Sequence, residues 1–251
     1  MTPGKTLVNP GISVVVPLHN EAGNVQPLAN RVFEAFGQEH RSLELILVDD
    51  GSTDETWQEI LRARKADGRI RALRHQWRRG QSAALWSGFQ ASRAEIIATL
   101  DGDLQNDPAD LPRMLAQLPA CDMVVGVRVD RKDNAVRRFS SVVARWARKL
   151  VLGVDFRDSA CGLRVFKRSV LVLLPAFDGL HRFIPILAHG QGAVVKEMPV
   201  THHVRVAGHS KYGIRNRLAK GIAGLALVRR CLKGQPPAAR PIEVAWEEYR
   251  D

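Results

Sequence analysis

The sequence predicts an α/β fold, a single domain built on a mostly parallel sheet flanked by helices. Three observations carry that prediction. Strand-like and helix-like segments alternate through the first half of the chain, the order that builds a parallel sheet covered on both faces. The strand-like segments are continuous apolar runs, as strands buried on both sides are. Finally, 251 residues with 45% apolar content suffice to bury one full core.

Taken in order, residues 12–16 form an apolar run that Pro17 stops. Val25, Leu28, Val32 and Phe36 recur at helical spacing and predict a helix over 24–38. A second strand over 43–48 ends in Asp49, Asp50 and Gly51. Ser52, with Glu55 three residues on, forms a capping box that opens the next helix. A third, shorter strand covers 70–73, and a helix runs from Gly80 to Phe89. Then come a strand over 95–100, a helix around 111–118 and a strand over 123–127.

The second half is less regular. Phe139, Val142, Val143, Trp146 and Leu150 give a helix with an apolar stripe and a basic opposite side. Residues 162–166 and 193–200 read as strands, and 204–213, rich in Gly and charge, as a loop. Ile214, Leu218, Ile222, Leu225, Val228 and Leu232 put a second stripe on a basic amphipathic helix over 214–232. Such helices either cover a sheet or lie in the headgroup plane of an anionic bilayer, and the second reading is favoured for 214–232. The expected domain is 1–233, with a flexible, proline-bearing tail over 234–251.

Composition narrows the function. A net charge of +11 implies an acidic partner: nucleic acid, anionic lipid or a phosphorylated substrate. Nucleic acid is not expected, because the sequence offers neither a DNA-binding motif nor an aromatic single-strand platform. Three widely spaced cysteines form no zinc pattern and no disulfide framework, and suit a reducing compartment. No secretory leader is evident at the N-terminus, and no segment has the roughly 18 apolar residues of a membrane span.

The most informative stretch is IIATLDGDLQND, residues 96–107. An apolar strand ends abruptly in Asp101, Asp103, Gln105 and Asp107, where open α/β sheets build their binding crevice. Two carboxylates and an amide at this spacing suit a hard cation bound to a diphosphate; Asp and Gly also make ordinary turns. A helix-loop-helix calcium site is excluded, since Asn106 and Pro112 stand where it needs Gly and Glu. Asp49/Asp50 and Asn20/Glu21 end two other strands, and a parallel sheet turns all three ends to one edge. Neither a G-x-G-x-x-G nor a P-loop is present, so a diphosphate would be held by metal and basic side chains.

The motifs SVVVPLHNE (13–21), VDDGSTDET (48–56), LDGDLQNDP (100–108), SACGLRVFKR (159–168), HRFIP (181–185) and RVAGHSKYG (205–213) occur in that order. Together they resemble the family-two inverting glycosyltransferases of the Rossmann-like GT-A fold, and within them the dolichol-phosphate mannosyltransferase and bacterial polyprenyl-phosphate glycosyltransferase group. The Q-x-x-R-W motif of processive synthases is absent. The resemblance implies transfer of a monosaccharide from a UDP- or GDP-linked sugar to undecaprenyl or dolichyl phosphate, with inversion. The alternative is a family-two enzyme acting on a saccharide acceptor in cell-envelope polysaccharide synthesis.

Residue by residue, the resemblance implies that Pro17, His19 and Glu21 line the nucleotide pocket and that Val48 and Asp50 contact base and ribose. Asp101 and Gly102 would touch the sugar, and Asp103 and Gln105 would hold Mg²⁺ or Mn²⁺. Arg128, Arg205 and Lys211 would clamp phosphate and sugar, and Arg137 and Ser141 would bind the lipid phosphate. It further implies a cytoplasmic protein, peripheral on the inner face of the membrane. Relatives that continue into transmembrane helices leave room for a membrane partner subunit.

Overall fold

The apolar run after Gly11 becomes the central strand β1 (Ile12–Leu18), from which the sheet grows on both sides. The computed structural model describes residues 10–37, 42–128, 149, 153–203, 224–235, 242 and 245–249. Chain order is β1, α1 (Ala22–Phe36), β2 (Leu43–Asp49), α2 (Thr56–Ala66), β3 (Ile70–Arg74), α3 (Gln81–Ala91), β4 (Ile96–Thr99) and α4 (Leu111–Leu115). There follow β5 (Met123–Arg128), β6 (Arg164–Lys167), α5 (Ile184–Gly190), β7 (Val195–Val200), a helix α6 over 224–232 and β8 (Glu247–Glu248).

The eight-stranded sheet has the order β7-β5-β6-β4-β1-β2-β3-β8. It is mostly parallel, as expected, with β6 running against β4 and β5, and β8 against β3. Period-two geometry splits each strand between two cores. Ile12, Val14, Val16, Leu45 and Leu47 face Val25, Leu28 and Val32 of α1 and Ile60 of α2. Val15, Ile46 and Val48 face Phe89 of α3, Ile184 and Leu187 of α5, and Val228 of α6. Each such aliphatic or aromatic side chain contributes about 1.5–3 kcal/mol on burial.

Three expectations change. The capping box does not form: Ser52 Oγ instead accepts from the Asn20 N–H at 2.9 Å, and Asp54 Oδ1 accepts from Thr56 N at 3.0 Å to start α2. Cross-loop bonding outcompetes the local cap. Second, the stripe of the basic helix packs inward over 224–232, where Val228 is fully buried and Leu225, Leu227, Cys231 and Leu232 cover the core. Arg229, Arg230 and Lys233 stay exposed. This part of the stripe finds its apolar partner in the protein core, beside Phe183 and α5, rather than in lipid. Third, the expected flexible tail supplies β8, because Glu248 finds Arg71 at 2.7 Å and the Tyr249 N–H bonds the Ala72 carbonyl at 3.1 Å. Residues 139–148 and 214–223 lie outside the described residues.

Candidate active site

The parallel strands β1, β2, β3 and β4 deliver their following loops to one edge, and there the chain forms a cleft of about 240 Å³. Pro17, Leu18, His19, Glu21, Asp50, Arg78, Gln81, Asp101, Gly102 and Asp103 line it. Seven of these were expected from sequence: Pro17, His19, Glu21, Asp50, Asp101, Gly102 and Asp103.

The first wall is two loops stitched together. Asn20, at φ +54, donates its N–H to Ser52 Oγ, and its Oδ1 accepts from Thr53 N at 2.8 Å. The Glu21 N–H reaches Thr56 Oγ1 at 2.8 Å, while the Glu21 carboxylate accepts from Asn24 Nδ2 at 2.6 Å. His19 Nδ1 lies 3.0 Å from the Asp50 carbonyl, an acceptor, so that nitrogen carries the hydrogen. Gly51, at φ +61, is needed twice over: a Cβ there would lie 2.4 Å from the Trp77 carbonyl carbon.

The floor is the Asp101–Asp103 turn. Asp101 accepts from Gln81 Nε2 at 2.8 Å, and its carboxylate lies flush against Gly162. Burial, then the neighbouring charge of Asp103, raises the Asp101 pKa above the usual carboxylate value, with Arg164 and Arg128 opposing. Two carboxylates sharing a cleft, one of them destabilised as an anion by burial and by the other, form a donor set that fits a hard divalent cation. Among the described residues no group of three or more His, Cys, Asp or Glu is gathered to hold a metal. A cation here would therefore complete its shell with water and substrate oxygens, as Mg²⁺ commonly does.

Other expected residues are placed differently. Gln105 lies outside the cleft lining; its Nε2 donates to the His203 carbonyl at 3.3 Å, and its own carbonyl accepts from His203 N at 2.7 Å. Val48 is fully buried, its side chain in the core rather than in the cleft. Arg128, at the end of β5, forms a two-point pair with Asp158 at 2.6 and 2.8 Å. Arg137, Ser141, Arg205 and Lys211 lie outside the described residues.

Sequence reasoning missed Arg78, in the loop after β3, and Gln81, the first residue of α3, which both line the cleft. The available signal was topological, since every loop following a parallel strand lands on this edge. It also missed Arg164, 2% exposed at the start of β6, whose Nη2 donates to the His181 carbonyl at 2.7 Å.

The sequence profile described as Glycosyl transferase family 2 matches residues 13–173. Dodecaprenyl-phosphate galacturonate synthase of Rhizobium johnstonii is 41% identical over 212 residues, which cover 81% of this chain and 62% of that protein. Undecaprenyl-phosphate 4-deoxy-4-formamido-L-arabinose transferase of Pseudomonas aeruginosa is 36% identical over 203 residues, covering 80% and 60%. The chain thus spans about three-fifths of the length of these relatives. Glucosyl-3-phosphoglycerate synthase from Mycobacterium tuberculosis, solved with Mn²⁺, uridine diphosphate and glucosyl-3-phosphoglycerate, superposes with a TM-score of 0.66 at 20% identity, over 94% of this chain and 89% of that one. That likeness establishes a shared GT-A fold. With the profile match running from β1 through the Asp101–Asp103 turn to the residues after β6, the chain belongs to glycosyl transferase family 2.

Proposed function

We propose that this protein transfers a monosaccharide from a nucleotide-diphosphate sugar to a polyprenyl phosphate, with inversion at the anomeric carbon and dependence on Mg²⁺ or Mn²⁺. One observation carries the reading: Asp101, Gly102 and Asp103 meet Pro17, His19, Glu21 and Asp50 in a single cleft at the carboxyl edge of the sheet. The names of its relatives, polyprenyl-phosphate sugar transferases, support the acceptor.

In this reading Pro17, His19, Glu21 and Asp50 wall the nucleoside side, while Asp101 and Gly102 face the sugar. Gly102 lets the floor lie close, since a Cβ there would stand 2.4 Å from Leu18 Cδ2. Asp103, with Asp101 beside it and Gln105 assigned by resemblance, would hold a divalent cation that neutralises charge on the leaving diphosphate. A lipid monophosphate, with a second pKa near 6, is largely ionised at neutral pH. Such a nucleophile needs positioning more than a general base. Arg205 and Lys211 are assigned to phosphate and sugar, and Arg137 and Ser141 to the lipid phosphate. Arg128 is assigned to the same clamp, held in place by Asp158. Val48 retains its proposed base contact only through its main chain.

The protein would work at the cytoplasmic face of the membrane, where nucleotide sugars are made, with a membrane subunit as a further proposed partner. Among the described residues no helix is long and apolar enough to cross a membrane. The test is a donor screen: protein, Mn²⁺ or Mg²⁺, polyprenyl phosphate and a panel of UDP- and GDP-sugars, read by product mass. An organic-extractable, mild-acid-labile product is expected. Asp103→Ala should lose more than about hundredfold in transfer with its unfolding temperature unchanged. Full activity of that variant, or of the wild type in excess chelator, overturns the proposal; sugar found only in a water-soluble glycan favours the saccharide-acceptor alternative.

A further inference from the structure

Behind the nucleoside wall runs a buried hydrogen-bonded chain that the transfer chemistry does not use. His75 follows β3, and Ser87 lies in α3; they are 1% and 0% exposed. His75 Nδ1 stands 2.9 Å from Asp50 Oδ1, and its Nε2 stands 2.9 Å from Ser87 Oγ. Ser–His–Asp in that order is the arrangement of a hydrolytic triad. Here Ser87 is sealed from any substrate, so a nucleophilic role is excluded and a different one is needed.

Asp50 supplies it. Its Oδ1 also accepts from the Arg79 N–H at 2.7 Å, and its Oδ2 from the Gly80 N–H at 2.8 Å. An ionised carboxylate only accepts, so His75 Nδ1 bears the hydrogen and points it at Asp50. The carboxylate therefore sits at the amino end of α3, where peptide dipoles favour a negative charge. It ties three things together: the end of β2, the exit of β3 and the start of α3. The loop 76–80 is closed around it, and that loop brings Arg78 and then Gln81 to the cleft. Gln81 in turn holds Asp101 at 2.8 Å.

We propose that His75 and Ser87 are positioning residues for the donor half of the site. They lock the rotamer of Asp50, and Asp50 fixes the 76–80 loop, so that Arg78 and Gln81 stand ready for a nucleoside diphosphate. The inference rests on the nucleotide-sugar reading above and adds two residues to its machinery. Groups that hold a functional side chain from behind matter because the side chain alone can relax away from its working geometry.

The test is calorimetric titration of UDP, and separately GDP, with Mn²⁺ present, into wild type, His75→Ala, His75→Asn and Ser87→Ala, well below every unfolding temperature. Asn offers an N–H near the position of His Nδ1, so it can restore the bond to Asp50. His75→Ala is expected to weaken nucleotide binding by at least about tenfold, and His75→Asn to recover most of it. Ser87→Ala should shift binding the same way by less, and the donor KM should rise more than kcat falls. Wild-type affinity in His75→Ala overturns the inference whatever its melting temperature. Equal loss in Ala and Asn variants does so too, because that is the mark of a mere packing defect. Should His75→Ala fail to fold, Ser87→Ala decides: weaker binding supports the relay, unchanged binding overturns it. A wild type that binds neither nucleotide removes the nucleotide-sugar reading, and the relay with it; a wild type that binds alongside indifferent variants removes the relay alone.

Discussion

Asp101 and Gly162 show how much one missing methyl can determine. A Cβ on Gly162 would lie 2.2 Å from Asp101 Oδ2 and 2.3 Å from its Cγ. Gly162→Ala must therefore push the carboxylate out of the cleft floor. We expect kcat/KM to fall by about hundredfold, the order seen when a reacting geometry shifts by an ångström, while the unfolding midpoint moves little. Steady-state kinetics beside thermal denaturation would check this, and unimpaired turnover would refute it. His181 gives a pH signature. Ser82 Oγ accepts from Gly179 N and His181 N and lies 2.7 Å from His181 Nδ1, while Arg182 Nε donates to His181 Nε2 at 3.3 Å. Burial, then Arg182 and Arg164, hold the imidazole pKa down from 6.5 to about 3. The folded protein keeps this ring neutral while the unfolded chain protonates it, so stability contributed here falls as pH drops from 6.5 toward 3. His181→Asn should flatten that part of the slope in denaturant titrations run across this range. The acids at the strand end were legible in sequence, because an apolar run turned abruptly ionic. The reasons for Gly162 and His181 were not, since each depends on a neighbour distant along the chain.

Helices were easier to find than to assign a partner. The 3.6-residue stripe of the basic helix announced an apolar face, yet periodicity is silent on whether sheet or lipid covers it. Over 224–232 the protein core does, at α5 and the residue before it: a Cβ on Gly224 would meet Phe183 at 2.6 Å, and one on Gly190 would meet Leu232 at 2.2 Å. Placing a carboxylate at fully buried Val228 should accordingly destabilise the isolated domain by several kcal/mol, about the penalty of burying an unpaired charge-bearing group. Chemical denaturation of Val228→Asp in detergent-free buffer would measure it. A variant as stable as wild type would mean this face does not pack on the core. The α2 start was misread for a related reason. Ser52 and Glu55 have the right spacing for a local cap, but a main-chain donor from another strand end took the serine first. Local patterns state what is available, and tertiary contacts decide what is used.

Across the whole molecule, the alternation of elements correctly implied a central parallel sheet, whereas β6 and β8 run the other way. A two-residue strand such as β8 has no pattern to read; its place is set by Glu248. Arg71, 8% exposed, bonds Glu248 at 2.7 Å, Glu44 at 3.1 Å and the Ala91 carbonyl at 2.5 Å. Glu44 in turn accepts from Ser13 Oγ and from the Arg93 N–H at 2.7 Å. One buried cluster thus joins β1, β2, β3, the end of α3 and the last strand. Glu44→Ala should cost about 3–5 kcal/mol, the order for breaking a buried ion pair, and Glu248→Ala less, because Arg71 keeps Glu44. Equal, negligible effects in urea unfolding would show the cluster to be idle.

Where Asn20 and Thr53 grip each other beside the cleft residues His19 and Glu21, the turn after β1 and the turn after β2 cannot move apart independently. On the reading proposed above, a nucleotide arriving there would meet a finished surface and have little chain entropy to remove. Competing nucleotides would then differ less in how fast they dock than in how long they stay, and discrimination between them becomes a matter of residence time.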